Sequence, residues 1–241
     1  MEDDDLNAIC KKLTSLYAGK SILELHDELS IDYPLYEKGI GSKIARAAFQ
    51  RVNKLDVLPN QNTELRTIQL YRNGAKKFDM KLFMVDFDEI KDKSITFEKS
   101  QFYKYFTNTQ IVFALYEIPQ RKNQLLKYNI FLGFKPLSFD KHFIETNVKE
   151  TWLVLRDLVL NNKLRDIRQL DRAGMPIINQ SGTVQSAPNF PKSKDFVVFL
   201  RGGGKNSADK KLVVNGISML KQYAWVRGDY IAKALSSTNF I

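Results

Sequence analysis

The chain has one cysteine, two histidines and, after residue 150, no glutamate. With Cys10 alone there is no disulfide within the chain and no cysteine-based metal site, which fits a reducing compartment. His26 and His142 have no second His or Cys at ligand spacing, so neither a zinc centre nor a Ser-His-Asp triad is expected. No apolar run approaches the roughly 18 residues of a membrane span. The opening MEDDDLNAICKK is acidic and lacks the basic and apolar regions of a secretory signal. The expected location is the cytoplasm, with no membrane partner.

What is present is positive charge, concentrated in one part. Of a formal net charge of +10, residues 151–241 carry +8, from 14 Lys/Arg against 6 Asp. A pI near 9.5 with the charge so placed favours a polyanionic partner, nucleic acid ahead of an acidic membrane. The 16 Phe, 10 Tyr and 2 Trp rule against disorder, and 241 residues fit one large domain over 1–241.

Along the chain, Leu6, Ile9, Leu13, Leu16 and Tyr17, then Ile22, Leu25 and Leu29, recur at helical spacing on either side of Gly19. Residues 38–49 read as a helix with a small-residue face, which lets another backbone come close. Strands are expected over 63–71 and 81–86, with a turn at Arg72-Asn73-Gly74, and over 110–118 and 125–134, joined as a hairpin by Pro119 to Asn123. Short and long helices are expected over 98–106 and 139–162. Residues 173–194, rich in Pro, Gly and Ser, read as a long loop kept inside the domain by Ile177 and Ile178. The class is α/β or α+β, a mixed sheet flanked by helices.

Two segments carry candidate chemistry. In the first, about 195–241, an apolar strand ends in Arg201. A glycine-rich basic loop follows (Gly202, Gly203, Gly204, Lys205, Asn206), then Lys210, Lys211 and an aromatic-basic helix holding Tyr223, Trp225, Arg227, Tyr230 and Lys233. Arginine, lysine and asparagine are the side chains that bond base edges and phosphates. Arg201 and Lys205 suit guanine O6 and N7. Lys38, Lys210, Lys211, Arg227 and Lys233 suit phosphate. Gly202 to Gly204 let the backbone lie close to a duplex. Trp225 or Tyr223 stacks in a groove, or Trp225 packs beneath the loop. Gly204-Lys205 is not a P-loop, because Phe199 stands where the first Gly belongs and Asn206 follows the Lys.

In the second segment, Asp56, Glu64 and Arg66 form D-x7-E-x-R. On a strand, residues 64 and 66 share a face. Asp56 and Glu64 would supply the two carboxylates of a Mg²⁺ site, where the metal lowers the pKa of a bound water. Arg66 stabilises charge but cannot take a proton from water. The same spacing also makes an ordinary ion pair.

Together these segments resemble the MutH mismatch-repair nicking endonucleases and their relatives among GATC-cutting type II restriction endonucleases. Glu64-Leu65-Arg66-Thr67 stands where the family has E-L-K-T, Lys38-Gly39 opens a helix, and the Arg201 loop and aromatic-basic end follow in order. The resemblance implies a PD-(D/E)xK restriction-endonuclease-like core in two lobes that clamp duplex DNA. It implies catalysis by Glu64, Arg66 and Asp56 with Mg²⁺ on Asp56 and Glu64, if the centre is active. Three departures fall on that centre. Arg66 replaces the strand Lys, Ala45 or Arg46 stands where the helix Glu falls, and Asp56 is one residue out of the usual spacing. The chain is most similar to the catalytically degenerate C-terminal half of the two-domain members. That likeness implies a DNA-binding pseudonuclease needing no cofactor, an allosteric effector that promotes cleavage by an active nuclease domain or a second copy. The alternatives are an active Mg²⁺-dependent endonuclease and a basic interaction module with no DNA role.

Overall fold

The computed structural model describes residues 3–53, 62–71, 74–75, 79–119, 125–171, 173–179, 182–204 and 206–237. Asp56, Lys205, the Arg72–Asn73 turn and the 120–123 loop lie outside the described residues. In chain order the elements are α1 (Asp3–Tyr17), α2 (Ile22–Glu28), α3 (Ile40–Asn53), β1 (Thr63–Tyr71), β2 (Gly74–Ala75), β3 (Met80–Met84), α4 (Phe87–Lys91), α5 (Gln101–Asn108), β4 (Gln110–Ile118) and β5 (Ile130–Leu137). Then come α6 (Lys141–Phe143), which runs through a π turn into α7 (Lys149–Leu160), β6 (Asp166–Arg168), β7 (Ser186–Pro188), β8 (Val198–Gly203), β9 (Leu212–Val214), β10 (Ile217–Met219), β11 (Lys221–Val226) and α8 (Gly228–Ser237). This is a mixed α/β architecture of small, mostly antiparallel sheets flanked by helices. Among the described residues no helix is long and apolar enough to cross a membrane.

The chain divides into two units. The first comprises residues 1–77, 108–139 and 231–241. Its sheet has the order β2-β1-β4-β5, with β1 and β4 parallel and both outer pairs antiparallel. Strand β4 is buried along residues 111–116, as a central strand covered on both faces must be. Helix α1 ends before Gly19, whose φ of +87° suits only glycine well. Helix α2 begins with a capping box: the Glu24 N–H donates to Ser21 Oγ and the Ser21 N–H to Glu24 Oε2. The small-residue face of α3 does let another element come close. Ala45 and Ala48 are buried, and a Cβ on Gly41 would stand 3.1 Å from the Tyr116 ring, whose hydroxyl donates to the Gly41 carbonyl at 2.9 Å. Phe134 meets Phe49 and Phe131 edge-on in the same core.

Cys10 sits in that core with none of its surface exposed, and burial pushes its thiol up to about 12. The thiolate is the reactive form. Ellman's reagent should therefore leave the native protein unmodified and titrate one thiol after denaturation. Prompt native labelling would mean that α1 does not pack as described.

The second unit comprises residues 78–107 and 140–230. Its main sheet is β3-β11-β8, antiparallel throughout. Thr151 of α7, wholly buried, donates to the Val198 carbonyl at 2.7 Å and ties the helix to β8. The β9–β10 hairpin turns through Asn215 and Gly216, both at positive φ, the conformation a two-residue hairpin turn prefers. The Asn215 side chain donates to the Val159 carbonyl and fixes the turn to the end of α7.

Three expectations need correction here. Gly202 and Gly203 are not loop but the end of β8. Residues 223–226 are not helix but β11, the central strand, because Gln222, Ala224 and Val226 alternate as its buried side. Residues 173–194 are a packed loop only from 189 to 194, where Phe190 is buried; the part before it is not. Together with β6 that part builds a β-arm over 166–188, in which Ile178 is 55% exposed. Backbone bonds hold the arm. At one level the Gln169 N–H donates to the Gln185 carbonyl, Gln185 to Ile177 and Ile177 to Gln169, tying three passes of chain together.

Candidate nucleic-acid interface

The antiparallel register sets Tyr223 opposite Arg201 and Trp225 opposite Phe199. Residues directly opposite on neighbouring strands point to the same face, so a cation and three rings line up there. The Arg201 guanidinium carbon lies 4.8 Å from the Trp225 ring centre and 5.1 Å from that of Phe199. From the other edge of the sheet, Lys81 of β3 places its Nζ 3.3 Å from the Tyr223 ring centre. Cations are attracted to the negative faces of aromatic rings, so this sheet face is basic with its rings partly covered. Trp225 therefore packs beneath Arg201, the alternative to wedging in a groove.

Arg201 is about half exposed, and its Nη2 donates to Asp79 Oδ2 at 2.7 Å. Asp79 Oδ1 accepts the Gly228 N–H at the start of α8. The arginine is thus held over two rings and tethered by one bond. Arg227 makes a two-pronged bond to Asp229, at 2.7 and 2.6 Å. That pairing holds the Asp229 carboxyl below its usual range and pushes the Arg227 guanidinium up. Those bonds use Nε and Nη2, so a phosphate at Arg227 would share the guanidinium with Asp229.

A cleft of about 740 Å³ opens beside Arg201. Its lining includes Arg201, Gly202, Gly204, Asn206, Lys210 and Gln222 and, from the arm, Gln169, Asn179, Thr183 and Gln185. Lys192 also lines it, and burial lowers its ammonium pKa. Asn206 is less available than its type suggests, since its Oδ1 accepts the Ala208 N–H at 2.9 Å. The glycines serve packing. A Cβ on Gly203 would fall 2.6 Å from Tyr223 Cε2, and one on Gly204 2.6 Å from Leu220 Cδ2. Lys211 and Lys233 are exposed. Lys38 is also exposed but belongs to the first unit, where its carbonyl accepts the Tyr33 hydroxyl, and α3 starts two residues after it at Ile40.

Glu64 and Arg66 lie on β1 of the first unit and share a face, as the strand period requires. They meet as an ion pair, with Arg66 Nε and Nη2 donating to Glu64 Oε2 at 3.0 and 2.5 Å. A divalent cation at Glu64 would compete with that guanidinium. In α3 beside β1, Ala45 is buried and Arg46 exposed, so neither supplies a carboxylate. Among the described residues no three His, Cys, Asp or Glu side chains converge. Asp56, the other carboxylate expected at a Mg²⁺ site, lies outside the described residues.

The residues missed by sequence reasoning are Asp79, Lys81, Lys192 and the arm. Asp79 and Arg201 stand 122 residues apart, so no local pattern links them. A sequence signal existed for β11: Tyr223, Trp225 and Val226 are aromatic and β-branched residues of the kind enriched in strands. No family model and no curated protein matches the chain.

Proposed function

We propose that this protein binds double-stranded DNA with sequence preference as a MutH-like pseudonuclease with a PD-(D/E)xK-type core. It acts as an effector that promotes cleavage by an active nuclease domain or a second copy. The observation that carries the reading is Arg201. Its guanidinium sits over Trp225 at 4.8 Å and is tethered by Asp79, and the residue borders a cleft that Lys210 also lines. A pre-oriented arginine beside a second cation suits a guanine edge next to a phosphate. The charge balance agrees, with most of the +10 in residues 151–241. The Glu64–Arg66 pair supports an effector over an active enzyme, because the carboxylate is already engaged.

Salt-titrated binding to duplexes tests this. With about five phosphates neutralised, log K should fall with log salt at a slope of about −4.5. A flat response would favour the basic module without a DNA role. Arg201→Ala should relax sequence preference, whereas Lys210→Ala should weaken all duplexes alike. Equal behaviour of the two would refute the division into reading and positioning residues. Incubation with GATC-containing and scrambled duplexes in Mg²⁺ and Mn²⁺ should give no site-specific cuts. Cuts lost in Glu64→Ala would establish the active endonuclease instead.

A further inference from the structure

We infer that the β-arm is a second base-reading element, in which the Gln185 carboxamide recognises the major-groove edge of an adenine; this rests on the DNA-binding reading above. The lining of the cleft combines the basic residues Lys192 and Lys210 with the carboxamide residues Gln169, Asn179 and Gln185 of the arm, and the backbone of Arg201 borders it. The three carboxamides are not equivalent. Gln169 Nε2 donates to the Ile167 carbonyl at 3.0 Å, and Asn179 Nδ2 to Thr183 Oγ1 at 3.2 Å. Gln185 is exposed, and among the described residues its side chain has no hydrogen-bond partner. It therefore offers a donor and an acceptor side by side.

That pair matches adenine, whose major-groove edge presents the N7 acceptor next to the N6 donor. Guanine presents two acceptors there and suits Arg201 instead. The backbone at Gln185 is hydrogen-bonded before any ligand arrives. Gln185 is fixed at both of its backbone polar groups, by Gln169 and by Ile177. Asp171 Oδ1 accepts the N–H groups of Ala173 and Met175, which sets the near turn, and Ser186 donates to Asp166 across the base at 2.7 Å. The cleft itself, at about 740 Å³, takes the edge of a duplex and not its whole width.

The probe is the tightest duplex selected by the wild-type chain from a random library, together with copies in which each adenine in turn becomes 7-deazaadenine, which lacks the N7 acceptor. Wild type should lose about tenfold in affinity at one such replacement, the size expected for one good base contact. Gln185→Ala should lose the same factor on the unmodified duplex, be indifferent to that replacement and keep the wild-type salt slope. Arg201→Ala should remain sensitive to it. If Gln185→Ala binds within twofold of wild type, or stays sensitive wherever wild type is, the arm does not read adenine, although DNA binding stands. If the library yields no preferred duplex, both readings fall together.

Discussion

Asp79→Asn should lose most of its discrimination between preferred and unrelated duplexes while holding unrelated duplexes more tightly. The two effects have separate causes. Asparagine keeps an oxygen to accept the Gly228 N–H, so the start of α8 is preserved. The charge-assisted bond to Arg201 Nη2 is lost, and the guanidinium keeps only its ring contacts over Trp225 and Phe199. A reading arginine free to swing forfeits the bidentate geometry, which is worth about 1–3 kcal/mol of discrimination. Removing a negative charge beside the interface also strengthens attraction to any phosphate backbone, steepening the salt slope by about 0.9. The measurement is the affinity ratio of the two duplexes across a salt series for wild type, Asp79→Asn, Arg201→Ala and the double variant. Since Asp79 acts through Arg201, the double variant should discriminate no worse than Arg201→Ala alone. A ratio within twofold of wild type in Asp79→Asn would remove Asp79 from recognition. A ratio above wild type would make it a competitor that DNA displaces.

The first unit is the part whose sequence and structure agree most directly, because its contacts follow local periods. Leu6, Leu13 and Tyr17 fall on one side of α1 and are buried with Cys10 in one cluster. Glu64 and Arg66 share a face of β1 by the period of two and meet there. The second unit departs where long-range pairing overrides local composition. Three glycines and a lysine read as a mobile loop, yet Gly202 and Gly203 are strand because β11 pairs with them from Gln222 and Lys221. Residues 173–194 read as loop because prolines and glycines punctuate them. The arm forms anyway, since its pairing uses backbone groups and needs no apolar alternation. The candidate site is legible only in part for the same reason. Arg201 stands out by composition, but its partner Asp79 and the arm lining the cleft are brought to it by the fold.

Gly203→Val should destabilise the protein by about 1–3 kcal/mol, the usual cost of forcing extra carbons into a packed position, and lower the melting temperature by roughly 5 °C. Were Gly203 present to bring the backbone near DNA, valine there would weaken DNA binding and leave the fold untouched. Its surroundings argue otherwise. A Cβ would meet Tyr223 Cε2 at 2.6 Å and Cδ2 at 3.0 Å, and the Lys81 ammonium sits 3.3 Å from the centre of the same ring. The ring cannot give way without disturbing that cation. Gly204→Ala should cost less although its nearest contact is equally short, because that atom, Leu220 Cδ2, is the end of a side chain that can rotate. The decisive comparison is Gly203→Ala in two backgrounds. It should destabilise the wild-type chain and be close to neutral in Tyr223→Ala, where the space is vacated. An equal cost in both backgrounds would mean that the glycine serves the backbone of β8 and not the ring packed on it.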